Sequence, residues 1–141
     1  MHKSISTLIF LLAAMSAFGQ SQSDEYLKIK LQRRENMVVK EWNTDQKSKA
    51  KWLDRITTYN DKGEKTEEIE YSRYGQNWRK TYVYDDAGHI IKETEYDERD
   101  KVAVVRKYEY NDDDTKKKQY NYAPNGRLLT VKIFEYERTG K

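Results

Sequence analysis

The chain has 141 residues, of which 36% are charged and 36% hydrophobic, and twelve of them are tyrosines. The 27 Lys and Arg residues nearly balance the 24 Asp and Glu residues, which argues against a general nucleic-acid-binding protein. Because the chain contains no cysteine, a disulfide-stapled fold and a thiol nucleophile are both excluded. The regular spacing of its aromatic residues disfavours a disordered chain.

Residues 1–19 have the features of a secretory signal peptide. A positive start at Lys3 precedes an apolar run over residues 8–14, and small residues occupy positions Ala17 and Gly19. This order of charged, apolar and small residues is typical of an export signal. The apolar run is too short to span a bilayer as a helix. We therefore expect a bacterial protein that is secreted, periplasmic or on the cell surface, and that does not span the membrane.

Residues 20–50 are less regular than the remainder of the chain. Alternating apolar residues at positions 27–31 fit a strand, and the same region also fits a helix over residues 26–38. Residues 37–42 are a strand candidate, and a long polar loop follows them. We assign this divergent segment to the same domain as residues 51–141.

From Tyr59 onward a tyrosine recurs every 12 to 14 residues, and a glycine or an aspartate follows four residues later. The pairs are Tyr59/Gly63, Tyr71/Gly75, Tyr84/Gly88, Tyr96/Asp100, Tyr110/Asp114, Tyr122/Gly126 and Tyr136/Gly140. The residue after each tyrosine is mostly Asn, Asp or Ser. These residues are favoured at the first position of a type I turn. Gly and Asp tolerate the left-handed conformation that closes such a hairpin.

Between these turns, β-branched and aromatic residues alternate with polar ones, as is typical of strands. Residues 78–84 and 102–110 show the alternation most clearly. The short spacing leaves room only for tight connections, so consecutive strands must be antiparallel neighbours. The sequence therefore predicts an all-β fold, a single antiparallel meander of about seven to nine strands. We expect the sheet to be twisted and able to curl toward an open barrel.

The repeat Tyr-Asp-x-x-Gly-x-Ile/Leu resembles the YD repeats of the RHS family of bacterial secreted proteins. Residues 82–90 and 120–128 match it best. The resemblance implies an extracellular repeat sheet with carbohydrate or partner binding, and it carries over no catalytic residue. Family members build long sheets that coil around a toxic C-terminal domain. This chain has too few repeats to enclose a payload, and we expect no toxin domain.

The sequence contains few candidate catalytic residues. His89 follows a turn glycine, and we interpret it as a solvated turn residue rather than a general base. Glu68 and Glu70 share one strand face, as do Glu93 and Glu95. Paired carboxylates can hydrolyse glycosides, but carboxylates interleaved with lysine on an open sheet are more typical of cross-strand charge pairing. We predict no catalytic residue and no enzyme activity.

The acidic run over residues 111–114 is the one candidate for a metal site. Calcium prefers oxygen ligands, but the run lacks the alternating ligands and the distal glutamate of an EF-hand. We interpret it as a solvated turn next to lysines 116–118. We therefore predict no metal site and no cofactor.

Aromatic residues supply the strongest candidate for a binding surface. One row across adjacent strands could contain Tyr82, Tyr84, Tyr108, Tyr110, Tyr120, Tyr122 and Tyr136. Such a row can stabilise the sheet by about 0.2–1 kcal/mol per cross-strand pair, or it can contact a glycan or a protein. Tyr84, Tyr110 and Tyr136 end strands of the same direction. We expect these three to line one rim and to form the binding site.

The function expected from these features is an exported, non-enzymatic repeat protein that binds a protein partner or a glycan through an aromatic sheet face. One alternative is a structural or assembly subunit of the cell envelope that adds strands edge to edge. Another is a small hydrolase that uses carboxylates. A concave carboxylate cluster would favour the hydrolase, a flat exposed aromatic face would favour binding, and a long uncharged edge strand would favour assembly.

Overall fold

The computed structural model describes residues 22–140, and the predicted signal peptide over residues 1–19 lies outside them. One short helix, α1, covers residues 22–32. Eight strands follow: β1 (Val38–Thr44), β2 (Lys51–Tyr59), β3 (Lys65–Ser72), β4 (Gly75–Tyr84), β5 (Ile90–Tyr96), β6 (Val102–Tyr110), β7 (Lys116–Tyr122) and β8 (Leu128–Ile133). They form one antiparallel sheet whose strand order equals the chain order. The predicted antiparallel meander is confirmed.

The hairpin turns follow the predicted tyrosine frame. In five of them the N–H of the fourth turn residue donates to the carbonyl of the first over 2.9 to 3.1 Å, as Gly88 does to Asp85. The fourth residues, all at positive φ, are Gly63, Gly88, Asp100, Asp114 and Gly126. These are type I turns closed by a left-handed residue. The frame fails at Gly75, which starts β4 after a two-residue loop, and at Gly140, which does not adopt the left-handed conformation.

A register shift of one residue accompanies each of these five turns. Tyr84 pairs with Ile90 while the neighbouring Val83 pairs with Lys92, so Ile91 has no partner of its own. The same shift occurs beside the strand-final tyrosines Tyr59, Tyr96, Tyr110 and Tyr122. A β-bulge of this kind bends the strand and increases its local twist. The repeat unit is therefore a strand, a strand-final tyrosine, a type I turn and a bulge.

The segment before the repeats folds as a helix and an edge strand. Leu27 and Leu31 lie in α1, so the interpretation of residues 27–31 as a strand is wrong. Their spacing of four residues also places them on one face of a helix, which is why the pattern was ambiguous. The helical alternative is correct in type, although α1 ends at residue 32. The strand predicted over residues 37–42 corresponds to β1, which pairs with β2.

The described residues form a single layer. No hydrophobic side chain within residues 22–140 is buried, and the buried polar residues of this range are Thr57 and Thr94, each 8% exposed. Paired residues share a face, so the register defines two faces of the sheet. The charged face carries Arg55, Glu68, Glu70, Lys80, Glu93, Glu95 and Arg106, and the opposite face carries Ile56, Ile69, Thr94, Val105, Tyr120 and Val131.

The tyrosines do not form one row on one face. Tyr108 pairs with Gln119, so the next residue, Tyr120, points to the opposite face together with Tyr122. The single row of seven tyrosines that the sequence suggested is therefore wrong. Counting residues through a hairpin does not reveal the face, because the turn and its bulge change the parity of the alternation.

The sheet remains open at both ends. Among residues 22–140, β1 pairs with β2 alone and β8 pairs with β7 alone. The expected curl therefore does not bring the two edge strands together. Each edge leaves a row of backbone N–H and C=O groups without a strand partner in the described chain.

Candidate functional site

The three tyrosines of the predicted binding site lie at one rim of the sheet. Tyr84 and Tyr110 end β4 and β6, which run in the same direction, and Tyr136 follows the end of β8. Each of the three hydroxyl groups donates a hydrogen bond of 2.8 Å to a backbone carbonyl. The acceptors are the first residues of β3, β5 and β7, namely Lys65, Ile90 and Lys116.

These hydrogen bonds connect each repeat to the next. Tyr110 donates to Ile90, and Ile90 is the cross-strand partner of Tyr84. Tyr136 stands in the same relation to Tyr110 through Lys116. A phenol whose proton is already donated has lost its main directional contact for a ligand. Burial, and then the charge of Glu64, raises the pKa of Tyr84 to about 12, so this hydroxyl stays protonated at neutral pH.

His89 is not the solvated turn residue that we expected. Its Nδ1 lies 3.1 Å from Asp85 Oδ2, and its Nε2 lies 2.8 Å from Asp114 Oδ1. The imidazole stacks on the Tyr110 ring with a centroid distance of 4.5 Å, and its side chain is 21% exposed. Asp114 belongs to the next turn on the same rim. The expectation failed because only the pairing of β4 through β7 brings these two turns together.

The electrostatics of this rim cluster favour a charged histidine. The hydrogen bond to Asp85 is the largest cause that raises the pKa of His89; partial burial opposes it, and the bond to Asp114 adds to it. The pKa of Asp85 is lowered, first by the backbone N–H of His89. An imidazolium with both N–H groups directed at carboxylates has no lone pair for a general base. The cluster links two turns and offers no activated nucleophile.

The carboxylates predicted as pairs on β5 are ion-paired across strands. Arg106 Nη1 lies 2.7 Å from Glu93 and 2.9 Å from Glu95. Lys80 Nζ approaches the same two carboxylates from β4, at 3.8 and 3.6 Å. Partial burial alone would raise the pKa of Glu95, but the hydrogen bond from Arg106 and the charge of Lys80 lower it overall. A glycosidase needs one carboxyl group whose pKa is raised, and the pKa of Glu95 is lowered instead.

The carboxylates of β3 are also ion-paired with cations. Arg55 lies 3.2 Å from Glu68 and 3.4 Å from Glu70. Glu68 also accepts contacts from Lys65 Nζ at 2.8 Å and from the Tyr82 hydroxyl at 3.2 Å. The predicted cross-strand charge pairing on this face is confirmed.

The side chains of the acidic run over residues 111–114 contact different partners. The Asp113 carboxylate accepts from Thr115, and the Asp114 carboxylate contacts His89. Within residues 22–140, no group of three or more His, Cys, Asp or Glu side chains is arranged to hold a metal ion.

An open hollow lies where α1 meets the rim. Leu31, Arg34, Tyr59 and Tyr84 line it together with the β2–β3 turn that contains Gly63. The Arg34 guanidinium stands 5.2 Å above the centre of the Tyr59 ring. Of the three predicted binding tyrosines, this hollow includes Tyr84 and neither of the others, so the three do not line one depression.

Strand β8 presents a different candidate surface. All six of its residues are exposed, and Ile133 is 65% exposed. Val131 and Ile133 pair with Tyr120 and Lys118 and lie on the opposite face, and the exposed Leu129 is the unpaired residue of the bulge. Sequence reasoning considered edge-to-edge addition without identifying this strand. The signal was present as alternating apolar residues in the last strand of the meander.

Comparison with known proteins yields little. No family model matches the chain, and no curated protein matches it. A crystal structure of an S. aureus TarM mutant in complex with Fondaparinux, alpha-GlcNAc-glycerol and UDP shows 11% identity and a TM-score of 0.28. That match covers 80% of this chain and 22% of the other, and at such a TM-score it indicates neither fold nor function.

Among residues 22–140, no helix has the length and apolar character needed to cross a membrane.

Proposed function

We propose that the chain is an exported, non-enzymatic scaffold that binds a protein partner by taking up an extended segment along β8. The observation that carries this proposal is the exposure of all six residues of an edge strand. An edge strand offers a row of free N–H and C=O groups, to which peptides add as a further strand. The apolar side chains of Leu129, Val131 and Ile133 supply side-chain contacts for such a segment.

The glutamate pairs, His89 and the rim tyrosines give less support to hydrolysis or to glycan binding. The glutamates of β3 and β5 are held by cations, and His89 is held by two aspartates. Stacking of a glycan on the rim requires open ring faces, and His89 already covers Tyr110. The hydroxyl groups of the rim tyrosines are also engaged. We therefore assign Tyr84, Tyr110 and Tyr136 to sheet stability and the partner to β8.

Proline at an outward-facing position of β8 tests this proposal. The Phe134 N–H donates to the Lys117 carbonyl, so strand alternation turns the Val131 N–H away from β7. Val131→Pro thus removes a docking donor without removing a hydrogen bond of the sheet. Lys40→Pro is the matched control, because it makes the same change at the β1 edge.

The measurement is a selection of displayed random peptides on the immobilised protein, followed by titration of the selected peptides. We expect extended sequences with alternating apolar residues, whose binding is lost in Val131→Pro and retained in Lys40→Pro. Equal affinity for wild type and Val131→Pro, with both variants folded by circular dichroism, would show that β8 is not the docking edge.

A further inference from the structure

Charge alternates from strand to strand across the charged face. The strands carry, in order, Glu41, Arg55, Glu68 with Glu70, Lys80, Glu93 with Glu95, Arg106, the neutral pair Gln119 and Asn121, and Lys132. The cations Arg55, Lys80 and Arg106 each contact an acidic side chain on a neighbouring strand, as Arg106 does with Glu93. Lys132, on the edge strand β8, makes no ion pair with any residue in the described range.

The two edges of the sheet are therefore complementary. At the β1 edge, Glu41 has one ion-pair contact, to Arg55 at 3.7 Å, and its side chain is 55% exposed. At the β8 edge, Lys132 occupies the same face. An acidic strand at one end and a basic strand at the other would continue the alternation if the ends were joined. Because β1 and β8 run antiparallel within one sheet, a second copy in the same orientation presents its β1 antiparallel to β8.

We propose that the segment that docks on β8 is strand β1 of a second copy of this chain, which extends the sheet head to tail. The proposal rests on the docking role of β8 proposed above and adds the identity of the occupant. Each copy would contribute one β8 edge and one β1 edge. Such a contact is heterologous, so it does not close on itself in a pair and can continue into a longer array.

The positions of the outward-facing backbone N–H and C=O groups on the two edge strands fit this arrangement. On β1, the Met37 carbonyl accepts from Tyr59, so Val38, Lys40 and Trp42 turn their backbone groups away from β2. The register shift near Trp42 leaves Asp54 of β2 without a partner, so the alternation along β1 is uninterrupted. On β8, alternation from Phe134 turns the backbone groups of Val131 and Ile133 outward in the same way.

One register satisfies both the charges and the hydrogen bonds. Setting Glu41 of one copy opposite Lys132 of the other places Trp42 opposite Val131 and Lys40 opposite Ile133. Both of these flanking pairs consist of outward-facing residues, so each can exchange two backbone hydrogen bonds. Trp42 and Val131 are 49% and 42% exposed in the isolated chain, and this register covers both. A shift by one residue would set inward-facing groups against outward-facing ones.

The test uses two blocking variants, alone and mixed. Lys40→Pro blocks the β1 edge, and Val131→Pro blocks the β8 edge. Sedimentation velocity of wild type at increasing concentration should show association beyond the dimer, whereas each variant alone should remain a monomer. The equimolar mixture should form a heterodimer that grows no further, because Lys40→Pro still offers β8 and Val131→Pro still offers β1.

Charge exchange tests the register. Lys132→Glu should weaken association at least tenfold, and the double variant Glu41→Lys with Lys132→Glu should restore most of it. A lysine on an edge strand can also prevent edge pairing, in which case Lys132 would keep the chain monomeric.

Wild type that stays monomeric at millimolar concentration would overturn self-assembly. Peptide binding that is lost in Val131→Pro alone would still support the docking role of β8. Association that persists in either proline variant would overturn the β8–β1 contact.

Discussion

His89 and Asp114, which are 25 residues apart in the chain, join two hairpin turns through a contact of 2.8 Å between Nε2 and Oδ1. The two turns connect β4 to β5 and β6 to β7, so they are neighbours on the same rim. In a sheet without a buried apolar side chain among residues 22–140, this contact adds to the backbone hydrogen bonds that hold neighbouring strands together. The contact depends on protonation, which makes it accessible to a pH experiment.

Stability should fall as the pH rises above the ordinary histidine pKa. Because the pKa of His89 is raised in the folded chain, its contribution is fully present below the unfolded value of 6.5 and is lost as the pH rises through the folded value. We expect Tm to decrease across this window. His89→Ala should remove most of this dependence, since His89 is the single histidine within residues 22–140.

Asp114→Asn is the matched control for this effect. Asn tolerates the left-handed backbone of position 114, whose φ is 66°, but carries no charge to attract the imidazolium. It should lower the pKa of His89 in an NMR titration and leave the fold unchanged. A His89 pKa that does not move in Asp114→Asn would contradict the link between the two turns.

The rim tyrosines should stabilise the sheet through their hydroxyl groups. Tyr84→Phe and Tyr110→Phe each keep the ring and delete one hydrogen bond to a carbonyl, so each should lower the free energy of unfolding by about 0.5–1.5 kcal/mol. Tyr122→Phe is the control, because its hydroxyl has no hydrogen bond to any residue that the structure describes. Urea denaturation measures all three, and equal losses at all three positions would refute the assignment.

Gly63 should be the most sensitive of the turn glycines. A Cβ there would lie 2.1 Å from the Leu31 carbonyl oxygen, a clash that the backbone of α1 must move to relieve. At Gly126 the φ is similarly positive, +84° against +73°, and no atom lies within 4 Å of the added Cβ. Gly126→Ala should cost about 1 kcal/mol from backbone strain alone.

Gly63→Ala should cost more than Gly126→Ala and should also release α1 from the β2–β3 turn that contains Gly63. Amide hydrogen exchange over residues 22–32 measures that release directly. If those amides exchange equally in Gly63→Ala and Gly126→Ala, α1 does not depend on contact with this turn.

Arg106 should be the most important cation of the charged face. Arg106→Met leaves Glu93 and Glu95 with the more distant Lys80, at side-chain exposures of only 15% and 28%. We expect a loss of about 1–2 kcal/mol, between the values for exposed and buried pairs. Lys132→Met, on the same face but without an ion pair, should change monomer stability by less than about 0.5 kcal/mol. High salt should narrow the difference in denaturation midpoints between the two variants.

The hairpin unit could be predicted from the sequence because its determinants are local. Tyr84 through Gly88 contains the strand end, the first turn residue and the left-handed position, and each acts within a few residues of the others. The alternation of apolar and polar residues then leaves an antiparallel meander as the simplest way to connect such units. For the same reason, the cross-strand pairing of glutamates with cations could be predicted from types and spacing alone.

Only the tertiary structure decided the relations between units. A helix and a strand were both compatible with residues 27–31, and the helix docks where Leu31 meets Gly63, a contact that no local pattern contains. The bulges change the parity of the alternation, so the faces of Tyr120 and Tyr122 followed from the register rather than from counting. The clamping of His89 by Asp114 and the exposure of β8 depend on which strands are neighbours and which lie at an edge. Local chemistry determined each hairpin, and the placement of the hairpins side by side determined which side chains are engaged and which remain free to bind.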